Sequence, residues 1–510
     1  MERLSKSLIQ NREDLLNQTF NKKDFPEKVL QIGEGNFLRG FVDWMIERMN
    51  RQGVFQGRIV AVQPTPHGRK LPDLKKQDGA YTVVLRGQED GQIVDQAEVV
   101  TAISRGINPY EEWDELVETA CSEDIEVVIS NTTEAGLTYQ EEEYKENQAV
   151  LSYPGKLTQL LYQRYQAFQG AADKGWVILP CELVQQNGTV LKDLVLRKIK
   201  EWSLGSSFQE WVLQANTFCE TLVDRIVTGY PYNEEKELKE RFGYEDKLMT
   251  VGEPYHLFVI EGDQHVREVL PFGQTELNVR FAPVDDYAEL KIRLLNAPHT
   301  MMFALGYLHG KDTVYESMRD REIRSYVEKM IDAAIKPVLP YEDKEKDDLA
   351  ASVLERFENP YQRHLLTDLG QNGLEKFKTR VLPLWKRWEG RSTAANHYFA
   401  LALAGVLAYY QPAEKNGEKV KGLAKGREIP LREKESTITY MHEQWQLVYN
   451  SQQSLHQLAA NVLRNPNVWD ENLSLADKEQ EKVGTYLEAI IQYDAQKAFQ
   501  LLNDNVKEEV

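Results

Sequence analysis

The run Lys28-Val29-Leu30-Gln31-Ile32-Gly33-Glu34-Gly35-Asn36-Phe37-Leu38-Arg39-Gly40 constrains the fold of this chain more than any other segment. A short β-prone stretch empties into a Gly-x-Gly turn, and a helical pattern continues through Trp44, Met45 and Met49. Strand, glycine turn and helix together present backbone N–H groups and a helix N-terminus to a dinucleotide pyrophosphate. The third glycine of the usual fingerprint is absent, because Leu38 stands in its place. Standing alone, the turn fits a tight βα connection with no ligand equally well, so its meaning depends on the elements around it.

The next segments repeat the strand–helix alternation. Arg58–Gln63 is a second buried-strand pattern, stopped by Pro64 and Pro66. Where an acidic residue usually meets the ribose hydroxyls, this chain has Gln63, followed by His67, Arg69 and Lys70. An amide binds a ribose diol and the basic residues suit a 2′-phosphate, so this strand admits NAD or NADP. Tyr81–Arg86 and Gln92–Val100 read as a hairpin. Ile125–Ser130 opens into Asn131, Thr132, Thr133 and Glu134, polar residues at the end of a strand where open α/β sheets place ligand contacts. Trp176–Glu182, Thr221–Val227 and Tyr255–Glu261 are further strands, and residues 1 to about 25 read as a polar amphipathic helix.

Beyond Asp285 the texture changes to long helical patterns, including Asp285–Leu295, Thr300–Leu308, Glu322–Ile335, Asp347–Phe357, Thr393–Tyr410, Ile438–Asn461 and Gly484–Leu502. The charge-rich stretch from Pro412 to Glu435 reads as a solvated loop. The expected fold is therefore α/β. An N-terminal Rossmann-type doubly wound sheet with extra β elements (1–275) precedes a mainly α-helical C-terminal domain (276–510). A length of 510 residues suits two domains. A net charge of −19 argues against nucleic-acid or anionic-membrane partners. The three dispersed cysteines form no C-x-x-C, and no apolar run approaches membrane-spanning length, so the expected location is the cytoplasm.

The segment Lys291-Ile292-Arg293-Leu294-Leu295-Asn296-Ala297-Pro298-His299 carries the chemistry. On an ideal helix Lys291, Asn296 and His299 fall within an arc of about 140°. Apolar neighbours at Leu294 and Leu295 favour the neutral amine that general-base work needs. Pro298 cannot continue the hydrogen-bond ladder, so a kink or restart is expected near Asn296.

With these segments together the chain resembles the mannitol dehydrogenase family of metal-independent long-chain polyol dehydrogenases. The resemblance runs through Gly33-x-Gly35-x-Phe37-x-Arg39, Gln77-Asp78-Gly79-x-Tyr81-Thr82, Val223-Asp224-Arg225-Ile226, Glu253-Pro254-Tyr255 and Lys291-x4-Asn296-x2-His299. It implies NAD as cofactor, held by Ile32, Gly33, Gly35, Asn36, Phe37, Leu38, Arg39, Gln63, Asn131, Thr132, Thr133 and Glu134. It makes Lys291 the acid/base, Asn296 and Asn187 the donors to a developing alkoxide, and His299 a partner of a substrate hydroxyl that helps orient Lys291. Two departures from mannitol-type members stand out. Glu182-Leu183 replaces an aspartate–asparagine pair, and the segment after Asn359-Pro360 lacks a clearly placed arginine. Both fit a substrate of another shape. The closer likeness, carried by residues 31–44 and 129–136, is to members that reduce a hexuronate. It implies interconversion of D-tagaturonate and D-altronate in hexuronate catabolism, with Arg363, Lys376 or Lys378 meeting the carboxylate. Fructuronate or mannitol-type substrates, or a nucleotide-binding sensor without catalysis, are the alternatives.

Overall fold

In the computed structural model the described residues are 1–16, 25–391, 394–416, 419–424, 427–471, 473 and 477–509. They form two compact units, one of residues 1–86 with 93–287 and the other of 87–92 with 288–510.

The first unit is built on six parallel strands: Glu27–Ile32, Arg58–Val62, Ile103–Ile107, Val127–Ser130, Val177–Pro180 and Thr217–Phe218. Counted in chain order within the sheet they lie 3-2-1-4-5-6, the order of a dinucleotide-binding sheet. Period-two alternation divides their side chains between two cores. Val29, Ile59, Ala61, Val127 and Ile129 enter one, while Leu30, Ile32, Val60, Val62 and Val128 enter the other. Strands buried on both faces read as unbroken apolar runs, which is why these segments are legible in the sequence. Helices Trp113–Ala120, Tyr153–Ala167, Asn187–Glu201 and Ser206–Ala215 bury their apolar stripes on the second face. The expected extra β elements form two further sheets. One orders Val227–Gly229, Thr250–Gly252, Tyr81–Glu89 and Gln92–Val100; the other orders Val279–Phe281, Leu257–Glu261 and Glu220–Asp224. The amphipathic helix expected over residues 1 to 25 lies partly outside the described residues; within them helices run Lys6–Asn11 and Glu13–Leu16.

The second unit is mainly helical. Its centre is Ala394–Tyr409, buried from Ala395 to its end, against which Ala297–Leu308 packs with no exposed residue of its own. A helix apolar all round belongs in a core. Gly405 permits the close approach: a Cβ there would stand 2.8 Å from Leu305 Cδ2. Two expectations are corrected here. The Pro412–Glu435 stretch carries three antiparallel strands, Pro412–Asn416, Lys419–Ala424 and Arg427–Leu431, rather than a loop. The pattern over Ile438–Asn461 is two helices, Glu435–Tyr449 and Leu455–Leu463, because Ser454 and Gln457 form a capping box that restarts the chain. Among the described residues no helix is long and apolar enough to cross a membrane.

Candidate active site

In the first unit the glycine turn lies at the carboxyl end of Glu27–Ile32, the point where the strand order reverses. Gly33 has φ +127°, and a Cβ there would come within 3.0 Å of Asn131 O, so only glycine lets the turn pass the neighbouring strand end. Gly35 is the N-cap of the turn Asn36–Arg39; it is exposed, and a Cβ on it would meet nothing within 4 Å. The turn thus offers backbone N–H groups to an open approach, which fits a dinucleotide pyrophosphate. Leu38, in the place of the third glycine, packs into the core with its Cδ1 3.2 Å from the Gly33 Cβ position, filling the space.

Arg39 does not line this opening. It is 1% exposed, bonds Asn36 Oδ1 (2.7 Å) and the Glu34 carbonyl, and lies over the Tyr81 ring, so it braces the turn from inside. Gln63 is also buried, its Nε2 donating to Thr65 O at 2.8 Å. The loop Asn131–Glu134 runs from half-buried to exposed beside the turn, and Thr133 holds φ +72°, an outlier for a β-branched residue of the kind that clusters at ligand sites. Glu182 explains how the loop is held. Its buried carboxylate accepts from Ser130 Oγ (3.0 Å), Thr132 N (2.9 Å) and Thr132 Oγ1 (3.0 Å), and burial raises its pKa against those bonds. Asn187 Nδ2 lies within 3.2 Å of Pro180 O, Glu182 O, Thr221 O and Thr221 Oγ1, while its Oδ1 accepts from Thr221 N. Its two N–H bonds are spent on the strand ends, and donation to a substrate requires releasing one of them.

In the second unit the restart expected near Asn296 is a π turn. Helix Val284–Lys291 ends at Lys291, Ile292–Asn296 are π-helical, and Ala297–Leu308 resumes with Pro298 in its first turn. The Ala297 amide bonds Ile292 O, five residues back. Ile331–Ile335 before Pro337 and Phe377–Val381 before Pro383 repeat the device, with Lys336 N bonding Ile331 O and Leu382 N bonding Phe377 O. Residues five apart on an α-helix stand about 140° apart around the axis, and the wider π turn narrows that gap between Lys291 and Asn296. Lys291 is half-buried. Asn296 is half-buried, and its side-chain amide makes no hydrogen bond among the described residues, while its backbone carbonyl accepts from Thr300 Oγ1.

His299 is buried, its ring stacked on Phe357 at 4.0 Å and edge-on to His364 at 5.0 Å. Burial first, then the charges of His364, Arg356, Arg380 and Lys376, hold its pKa well below the ordinary range, so the ring is neutral at physiological pH. The surroundings of His299 are therefore cationic in an acidic chain. Of the three residues considered for a carboxylate, Arg363 is exposed. Lys378 is taken by Glu375 (2.7 Å) and Asp470 (2.5 Å), and Lys376 rests its Nζ on Leu369 O at 3.0 Å. Sequence reasoning does not single out Arg356 or Arg380. The signal for the second is the Leu382-Pro383 pair, which marks another π turn as Ala297-Pro298 does.

A dinucleotide sheet followed by a helical unit with lysine, amide and imidazole on one interrupted helix is the organisation of a two-domain dehydrogenase. The chain belongs to the mannitol dehydrogenase family: residues 27–272 match the mannitol dehydrogenase Rossmann domain and 283–491 the mannitol dehydrogenase C-terminal domain. It is 45% identical over 498 residues to an altronate oxidoreductase of Halalkalibacterium halodurans, covering 98% of this chain and 97% of that one. It is 38% identical to altronate oxidoreductases of Yersinia pestis (93% of this chain, 97% of the relative) and Escherichia coli (94% and 99%). Among solved structures its fold is similar to a D-sorbitol dehydrogenase in substrate-free form (TM-score 0.75, 20% identity, 98% and 100% covered). It is also similar to Pseudomonas fluorescens mannitol 2-dehydrogenase in ternary complex with NAD and D-mannitol (TM-score 0.62, 19% identity, 98% and 99% covered).

Proposed function

We propose that this protein is an NAD-dependent oxidoreductase that reduces D-tagaturonate to D-altronate, acting in the cytoplasm on a small hexuronate. The observation that carries the reading is the Lys291–His299 segment, in which a π turn draws a half-buried lysine and an amide with no hydrogen bond among the described residues toward one face, on the helix that goes on to a neutral imidazole. Full-length relatives named altronate oxidoreductase support the substrate. The open turn at Gly35 and the Asn131–Glu134 loop support NAD, which supplies a hydride to the ketone carbon when bound as NADH.

This chain's own residues handle the proton and the charge. Lys291, as an ammonium, gives its proton to the carbonyl oxygen as that oxygen becomes an alkoxide; in the oxidation direction the neutral amine takes the proton back. Asn296 donates its amide N–H to the same oxygen, an interaction worth about 3 kcal/mol in a dry site. His299, kept neutral, meets a substrate hydroxyl without adding charge beside Lys291. Three free cysteines, two of them buried, suit a reducing compartment.

The test is NADH oxidation measured with D-tagaturonate, D-fructuronate and D-fructose. Tagaturonate is expected to give the highest kcat/KM; turnover with fructose alone would make the hexuronate reading wrong.

A further inference from the structure

The π turn Phe377–Val381 packs on the π turn Ile292–Asn296 and on the helix that carries His299. Its position is fixed by the arginine between the lysine and the asparagine. Arg293 Nη1 donates to Thr379 O (2.9 Å) and to Arg380 O (2.7 Å). Arg380 is thereby tied at its backbone to the segment that holds Lys291 and Asn296. Its guanidinium is half-buried, yet among the described residues its side chain makes no hydrogen bond and no ion pair. That is unusual within this fold. Buried Arg164, by contrast, donates to Lys174 O, Ala120 O, Ser122 O and Ile125 O.

Burying an unpaired cation is costly, and arginine with five unused N–H donors is a group waiting for an anion. The neighbouring cations differ in this respect. Lys378 has two carboxylates and Lys376 has backbone carbonyls, so neither is as available. Burial lowers the Arg380 pKa with no carboxylate opposing it, and its charge reaches the His299 ring. A planar guanidinium matches a carboxylate with two parallel hydrogen bonds.

We infer that Arg380 is the specificity residue that receives the substrate's carboxylate, holding the acid end of the sugar while the ketone faces Lys291 and Asn296. This rests on the hexuronate reading above. Arg380→Leu and Arg380→Lys are compared with the unaltered enzyme on D-tagaturonate and on the uncharged ketohexose D-tagatose, with D-gluconate as an aldonate competitor. In Arg380→Leu the ratio of kcat/KM for the acid over the uncharged sugar is expected to fall about 100-fold, as for other truncated buried charge pairs. The gluconate inhibition constant should rise by a similar factor, Arg380→Lys should recover part of both, and an unchanged urea-unfolding midpoint certifies the fold of the variant. An unchanged ratio, or an equal loss on both sugars, overturns the inference. If the unaltered enzyme itself prefers the uncharged sugar, the hexuronate reading fails. The gluconate arm then decides Arg380 alone, because an inhibition constant identical in Arg380→Leu rejects it.

Discussion

Lys291 stands half-buried where one helix ends and a π turn begins, and the proposed reaction gives it both proton transfers. Replacing it with alanine removes the acid/base and leaves the glycine turn of the other unit untouched. Lys291→Ala is expected to lose about 10³-fold in kcat while titrating NADH fluorescence as before. A nucleotide sensor would lose nothing measurable, so unchanged behaviour in both assays would falsify the enzymatic role. His256 makes a different prediction, about stability. Its Nε2 accepts the Asn278 amide at 3.0 Å, so the proton sits on Nδ1, which donates to Pro254 O at 3.1 Å. Burial, then Arg225, lowers its pKa from 6.5 to about 3. The unfolded chain takes up this proton near pH 6.5 and the folded one does not until about pH 3. The stability this group contributes is therefore whole above pH 6.5 and is lost as the pH falls toward 3. Between pH 8 and pH 5 the loss attributable to His256 is about 1–2 kcal/mol. Urea titrations at the two pH values should show a smaller drop for His256→Gln than for the natural chain.

At the scale of the element, three helices of the second unit share one device: a π turn whose last N–H bonds five residues back, followed at once by X-Pro. Proline has no N–H to continue an α ladder, so the preceding amide reaches one residue further and the turn widens. Pro298→Ala restores that N–H and lets Ile292–Asn296 tighten into α-helix, rotating Lys291 away from Asn296. The expected outcome is a melting temperature unchanged or slightly higher, with kcat down about tenfold or more, since small misplacements of reacting groups are expensive. Full activity in Pro298→Ala would mean that the π turn does not set the alignment.

For the whole molecule, the two compact units carry separate tasks in this reading, and NADH should stabilise the one with the glycine turn. At 100 times its Kd the cofactor adds about 2.7 kcal/mol to whatever binds it. Scanning calorimetry with and without NADH is expected to raise the transition of the unit of residues 1–86 and 93–287, while a Gly33→Ala chain, strained at φ +127°, shows little response. Much of this architecture is legible in the chain itself. The doubly wound sheet follows from apolar runs between turn residues, the helical second half from its periodicity, and the break at Asn296 from Pro298. These are local facts, because backbone geometry is dictated by the φ limits of glycine and proline and by the spacing of apolar residues. The charged groups are another matter. Lys376, Lys378, Arg363 and Arg380 are equivalent as letters, and Asn187 reads as a free donor. Only the tertiary structure brings Asp470 to Lys378 across 92 residues, closes Asn187 onto Pro180 and Thr221, and leaves Arg380 half-buried without a partner among the described residues. Sequence determined where the chain turns and which faces are buried. Which charges remain for a substrate was decided by the fold, since carboxylates and carbonyls distant in sequence, such as Asp470 beside Lys378, reach a side chain only once the chain has packed.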